Sequence, residues 1–145
     1  MEETKKAQHR EFVQSVITRM NTNSFQLKGM MITITAAFLA IYASNPKLIF
    51  IILPVPITCL FWLLDAYYLQ LERKFRGIYK DICDLNKEGE VKKTTKLFEM
   101  NPKLYKGGDF SFWKVLLWSS LTVFYSVIII ILIIAYFMVK NNCLK

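Results

Sequence analysis

The sequence is poor in the residues from which catalytic and metal sites are most often built. It has a single histidine, His9, and its five glycines form no phosphate-binding loop. Its three cysteines, Cys59, Cys83 and Cys143, share no spacing typical of a zinc site or of a disulfide framework. We therefore expect no catalytic residue, no metal and no cofactor, and we interpret His9 as a solvated polar side chain.

Charge is absent from three long stretches of the chain. Residues 29–46, 48–64 and 115–139 contain no Asp, Glu, Lys or Arg. As helices these stretches would be roughly 25 to 38 Å long, against a hydrocarbon core of about 30 Å. The pattern excludes a soluble globular enzyme and a disordered tail. It predicts an all-α membrane protein with three transmembrane helices.

Positive charge is distributed unevenly around these three runs. Of the 19 Lys and Arg residues, 16 lie before the first run or between the second and the third, and 3 lie in the short first hairpin and the C-terminal tail. Because cytoplasmic segments carry the positive excess, we expect the N-terminus and the long connection in the cytoplasm and the C-terminus outside. The basic connection would attract anionic lipid, a cytoplasmic protein or an anionic ligand, and it contains no nucleic-acid-binding motif.

The charge and hydropathy patterns predict four segments. Residues 1–24 have apolar side chains at helical spacing, which is typical of an amphipathic helix, and end in a turn at 21–24. Residues 25–84 would form a hairpin of spans one and two, with a helical cytoplasmic extension of span two. Residues 85–110 form the basic connection, and residues 111–145 hold the third span and a short outer tail.

Asp65 is the most informative ionisable residue, because it follows 17 uncharged residues at the expected inner edge of the bilayer. A carboxylate at that depth needs a cation or a hydrogen-bond donor, and Arg19, Lys28 and Arg73 are the candidates for an ion pair. Two roles remain open at this stage. Asp65 either anchors the span at the interface or belongs to an ion path or a coupling element.

Small residues recur every three or four positions along the first span. Such a face lets two helix backbones approach closely, which matters in lipid because no hydrophobic force drives helices together. The residues of this predicted helix-packing face are Gly29, Thr33, Ala36, Ala37 and Ala40. The partner is either another span of the same chain or another copy.

Two further patterns modify the second and third spans. Pro54 and Pro56 each remove a backbone donor and predict a kink in the second span. On the third span Ser119, Thr122 and Ser126 form a narrow polar stripe. The stripe either makes hydrogen bonds across helices or lines a narrow aqueous path.

Two segments resemble a group of small bacterial multi-span membrane proteins. They are NSFQLKG (23–29) and FWLLDAYYLQLERKFRGIY (61–79), and the second is similar to that group's signature FWxLDxYYLxxERxFRxLY. The group is associated with antiviral-defence loci. The resemblance covers about the first 80 residues, implies a membrane effector or accessory protein, and supplies no catalytic residue.

Size and resemblance together lead to two hypotheses about function. A chain with three spans is too small to enclose a pathway alone, so the favoured hypothesis is a homo-oligomeric inner-membrane pore or membrane-disrupting effector in antiviral defence. The alternative is a non-conducting anchor or accessory subunit that recruits a cytoplasmic partner through its basic face.

Overall fold

The computed structural model describes residues 2–86, 91–94, 96–117 and 119–142, and for Ser119 and Asn142 only the backbone. Within these residues the chain forms helices, turns and loops, without a strand. The α-helices are α1 (Glu2–Ser44), α2 (Ile49–Ile52), α3 (Pro54–Ile82), α4 (Phe112–Leu116) and α5 (Ser119–Asn142). Three helical segments, 2–44, 49–82 and 120–141, are long and apolar enough to cross a membrane. By length and composition, the prediction of an all-α protein with three spans is confirmed.

The predicted turn at residues 21–24 is wrong, because α1 runs without interruption from Glu2 to Ser44. Asn, Thr and Ser favour turns since their side chains compete for backbone partners, but the same side chains can be accommodated within a helix. Thr22 illustrates this, because its Oγ1 donates to the carbonyl of Thr18 at 3.0 Å, one turn earlier. The charge-free part of this helix, from Gly29 to Ser44, is the first membrane-spanning candidate.

The second span is interrupted at Leu53, directly before Pro54. Leu53 itself keeps helical dihedral angles, φ −55° and ψ −40°, and its N–H donates to the carbonyl of Ile49 at 2.9 Å. Pro54 and Pro56 supply no N–H to the carbonyls one turn earlier, which is the physical reason for the break. The hydroxyl of Thr58 adds a hydrogen bond to the carbonyl of Pro54 at 2.7 Å.

Residues 111–145, expected to hold the third span, contain two helices among their described residues. The chain makes the five-residue α4, turns at Leu117, and begins α5 at Ser119; Trp118 lies outside the described residues. At this break the carbonyl of Leu116 accepts hydrogen bonds from Trp62 Nε1 at 3.2 Å and from Thr122 Oγ1 at 3.3 Å. These two side-chain donors thus replace the backbone N–H that the carbonyl of Leu116 would bind in a continuous helix. The apolar sequence pattern alone could not indicate this replacement.

The chain divides into two compact units. Residues 25–66 and 116–145 form one, which we call the apolar unit, and residues 1–24 and 67–115 form the other, the polar unit. In the apolar unit α2 packs against α5. Its fully buried side chains include Met31, Ile51, Leu132 and Tyr125.

The polar unit is built around Val13, Ile78 and Tyr105. Gly77, the residue before Ile78 on α3, lets the Tyr105 ring lie directly against the helix. A Cβ atom at Gly77 would be 2.7 Å from Tyr105 Cδ1 and 3.2 Å from Phe110 Cζ. Gly77 therefore does not end the helix, and its lack of a side chain is required by packing.

The first prediction concerns this contact. Gly77→Ala should destabilise the polar unit by about 1–3 kcal/mol, because the methyl group must displace a buried ring. Tryptic cleavage of the lysine-rich connection, followed against temperature in detergent, measures the effect. Gly29→Ala is the matched control, because Gly29 is also helical but has no atom within 4 Å of the added Cβ position. Equal protease sensitivity of the two variants would contradict the proposed packing constraint.

Candidate functional site

Asp65 is completely buried in the apolar unit and makes two charge-assisted contacts there. Lys28 Nζ lies 2.5 Å from Asp65 Oδ2, and the hydroxyl of Tyr125 donates to the same oxygen at 3.0 Å. The three residues come from α1, α3 and α5. An ion pair inside an apolar helical unit is costly to bury, so its presence marks this position as the candidate functional site.

Aromatic packing fixes the tyrosine of this site. The Trp62 ring stacks on the Tyr125 ring, with centroids 6.1 Å apart and planes inclined by 13°. Trp62 is itself held by its hydrogen bond to the carbonyl of Leu116. Because Tyr125 is fully buried between these partners, its hydroxyl remains directed at Asp65.

Lys28 connects the buried carboxylate to the surface of the apolar unit. Its side chain is 28% exposed, whereas that of Asp65 has no exposed surface. Lys28 also lines an open groove of about 560 Å³ with Ser120, Val123 and Phe124 of α5. The cation is thus the member of the pair that a neighbouring molecule or water can reach.

The other two ion-pair candidates lie in the polar unit. Arg19 is exposed on α1. Arg73 donates from Nη1 to the carbonyl of Asp109 at 3.4 Å. Together with Gln70, whose Nε2 donates to the carbonyl of Phe110 at 2.8 Å, Arg73 holds the turn at residues 108–110 against α3.

The residues of the polar stripe on the third span differ in their burial and in their hydrogen bonds. The side chain of Ser119 lies outside the described part of the molecule, and Ser126 is half-buried. Thr122 donates to the carbonyl of Leu116. The residue of α5 that reaches the buried carboxylate is Tyr125, which follows the stripe by helical spacing but was not among the predicted site residues.

The small-residue face of the first span is open in the single chain. All five of its members are exposed, and no atom lies within 4 Å of a Cβ added at Gly29. Thr33 satisfies its own hydroxyl by donating to the carbonyl of Gly29 at 3.0 Å. The face therefore makes no close contact with another span among the described residues.

A second buried carboxylate, Asp81, organises the polar unit, and the sequence analysis did not single it out. Its Oδ2 accepts from the backbone N–H of Lys93 at 2.8 Å, from that of Thr94 at 2.9 Å and from the Tyr105 hydroxyl at 2.5 Å. Its Oδ1 accepts from Asn86 Nδ2 at 2.8 Å. One side chain of α3 thus fixes the path of the connection.

The ionisation of these groups follows from their contacts. Burial acts to raise the pKa of Asp81, but hydrogen bonds from Tyr105, Thr94, Asn86 and Lys93 outweigh it and hold the pKa below its usual value. Burial and the hydrogen bond to Asp81 raise the pKa of Tyr105. Asp81 is therefore ionised and Tyr105 neutral near pH 7, and since Tyr105 donates to Asp81, the Thr94 hydroxyl donates to Tyr105 at 2.9 Å.

The described residues offer no metal site, because no three His, Cys, Asp or Glu side chains among them lie close enough to hold an ion. The comparison with known proteins adds no family. No family model, curated protein or solved structure matches this chain. The site is therefore interpreted from its geometry.

The second prediction tests Asp81 as an organiser of the connection. Asp81→Asn should destabilise the polar unit by about 1–3 kcal/mol, because one of the two acceptor oxygens becomes an NH2 group that faces a donor and cannot accept its hydrogen bond. Protease cleavage of the connection and thermal unfolding measure the loss near neutral pH. The contribution of the ionised carboxylate is present above the unfolded pKa of about 3.9 and disappears as the pH falls through the lower folded pKa.

Asp84→Asn is the control for this substitution. Asp84 lies three residues later, pairs with Lys92, and has 72% of its side chain exposed. Surface ion pairs contribute only about 0 to 1 kcal/mol, so this variant should resemble the wild type. The organising role of Asp81 would be refuted by two variants of equal stability.

Proposed function

We propose that this chain is a homo-oligomeric bacterial inner-membrane protein that forms a regulated pore or otherwise disrupts the membrane, as an effector in antiviral defence. The observation that carries the proposal is the buried Asp65, paired with Lys28 and Tyr125 inside the apolar unit. Ionisable groups within membrane spans are rare and mark ion pathways, sensors or coupling elements. A purely structural anchor has no need of such a costly pair.

The mechanism we infer is a rearrangement of this pair. In the described state Asp65 is fully neutralised by its contacts and the aliphatic run of α5 offers no polar path, so this state is the closed one. Because Lys28 is partly exposed, a neighbouring copy can attract it away from Asp65. The uncompensated carboxylate would then draw water into the apolar unit, since a buried charge without a partner costs several kcal/mol.

Two features support assembly from several copies. The most apolar windows of the three spans are 11%, 28% and 11% buried within the chain, so most of their lateral surface is available to lipid or to other spans. The face at Gly29, Thr33, Ala36, Ala37 and Ala40 is exposed and consists of small residues, which suits close helix packing. A pathway shared between copies needs both features.

The proposed orientation follows from charge. With 16 of the 19 Lys and Arg residues before the first span or in the long connection, the polar unit belongs in the cytoplasm and the C-terminus outside. The amphipathic first part of α1 and the extension of α3 after Ala66 are then cytoplasmic. Their basic surface would meet the anionic inner leaflet.

The alternative function is a non-conducting anchor that recruits a cytoplasmic partner. The organised polar unit favours it, because a connection fixed by Asp81 presents a defined surface. Leakage of liposomes separates the two hypotheses. Only the pore or membrane-disrupting protein releases a trapped dye.

The third prediction tests Asp65 as the coupling residue. Asp65→Asn keeps the side-chain shape and removes the charge that Lys28 binds, so the variant should assemble like the wild type but lose most dye release and most toxicity on expression. The double variant Lys28→Gln with Asp65→Asn separates charge from stability. Because neither partner is then left as a lone charge, it should be at least as stable to heat as Asp65→Asn and should remain inactive.

Asp109→Asn is the matched control for the loss of an ion pair. Asp109 pairs with Lys114 at 2.5 Å, but both side chains are at least half exposed. This variant should retain full leakage and toxicity. If Asp65→Asn behaves like Asp109→Asn in every assay, Asp65 is an interfacial residue and the proposed mechanism is wrong.

The fourth prediction tests assembly. Ala36→Leu and Ala40→Leu hold neighbouring backbones apart, at a cost of about 1–3 kcal/mol for an overpacked contact. Both variants should shift the mass in native electrophoresis or light scattering towards the monomer. Ile41→Leu is the control, because it changes an exposed position of the same helix without adding volume. An unchanged mass in both alanine variants would exclude this face as the interface.

A further inference from the structure

The polar unit contains a small groove beside the only histidine of the chain. The groove has a volume of about 290 Å³ and lies among the start of α1, the end of α3 and the connection. The polar side chains that line it are Lys6, His9, Asp81, Asp84, Lys92, Thr94 and Lys96. Ligand pockets for drug-sized molecules span roughly 300 to 1,000 Å³, so this groove suits a small group.

The sequence-based interpretation of His9 as a solvated residue is wrong, because the side chain is 1% exposed. Its Nδ1 accepts a hydrogen bond from the backbone N–H of Phe98 at 3.2 Å. A nitrogen that accepts carries no hydrogen, and burial lowers the pKa of His9. The neutral ring therefore carries its hydrogen on Nε2.

This Nε2–H group is a buried donor without an acceptor among the described residues. A buried polar group left unpaired costs about 1–3 kcal/mol, and native structures almost always satisfy such groups. Phe98, which donates to His9, also has an unfavourable backbone conformation. Phe98 has a φ of 61°, a left-handed conformation that is unfavourable for a residue with a side chain.

The acidic groups near His9 do not supply the missing acceptor. Asp84 pairs with Lys92, and both oxygens of Asp81 already accept hydrogen bonds from Asn86 and the connection. Lys6 contacts Glu2 and Glu3 at the surface, at 3.3 Å each, and such exposed contacts exchange readily with water. Lys96 has no ion pair within the described part of the chain. The lining thus carries three lysines against two carboxylates, and the His9 Nε2–H group remains a donor without an acceptor among the described residues.

We propose that this groove binds a phosphate group, with the His9 Nε2–H and the Lys96 ammonium group as its donors. A phosphate has several acceptor oxygens and suits convergent N–H and ammonium donors. Because Nε2 itself is covered, the anion enters as the long side chains of Lys6 and Lys96 rearrange at the edge of the groove. The group comes either from free phosphate or from a phospholipid headgroup, and the site does not depend on whether the apolar unit conducts.

The single histidine makes the test direct. The full-length chain carrying ¹⁵N-labelled histidine, in a phosphate-free maltoside detergent, gives one pair of imidazole nitrogen signals. Titration with inorganic phosphate should shift the Nε2–H signal in a saturable manner while Nδ1 remains an acceptor. Phosphatidylglycerol added to the same micelles, without inorganic phosphate, forms the second arm. A response to the lipid alone assigns the site to a headgroup, and a response to inorganic phosphate assigns it to the free anion.

Matched lysine variants decide whether the response comes from this groove. Lys96→Gln should weaken the apparent affinity by roughly tenfold, because a charge-assisted hydrogen bond is lost. Lys106→Gln removes the same charge from an exposed position of the connection outside the groove, and should leave the affinity unchanged. The proposal is overturned if neither phosphate source shifts the Nε2–H signal, or if Lys96→Gln and Lys106→Gln respond like the wild type.

Discussion

The buried carboxylates of α3 determine which parts of the chain must pack against this helix. An ionised carboxylate in a medium of low dielectric constant is stable only when donors surround it, so each one selects its neighbours. Asp65 binds Lys28 and Tyr125, Glu72 binds Arg76 at 2.6 Å, and Asp81 binds the connection. The remaining packing can vary in detail, but these partners cannot be removed singly without leaving a buried charge.

The two main carboxylates satisfy this requirement in different ways. Asp81 is held by neutral donors, two of them backbone N–H groups that cannot move away while the connection stays folded. Asp65 is held by the ammonium group of a long, partly exposed lysine. A flexible cation can change partners, whereas a backbone amide cannot. This contrast is why we assign a structural role to Asp81 and the coupling role to Asp65.

The errors of the sequence analysis share a physical cause. Residues 21–24 have turn propensity, yet α1 continues through them because the local competition of their side chains is weak. The charge-free run from residue 115 gave no sign of the break at Leu117, since the break depends on donors from Trp62 and Thr122. His9 is isolated in sequence, and only the approach of Phe98 buries it. In each case a local preference was outweighed, by continuation of the helix at residues 21–24 and by a distant segment in the other two.

The sequence by itself determined the number of spans, the helical class and the residue most in need of a partner, Asp65. Those features depend on local composition, because 17 or more uncharged residues fit a bilayer whatever the rest of the chain does. Only the tertiary structure decided that Lys28 reaches Asp65, why Gly77 lacks a side chain and that Asp81 holds the connection. These features depend on contacts between residues 12 to 37 positions apart, and no local pattern records such pairings.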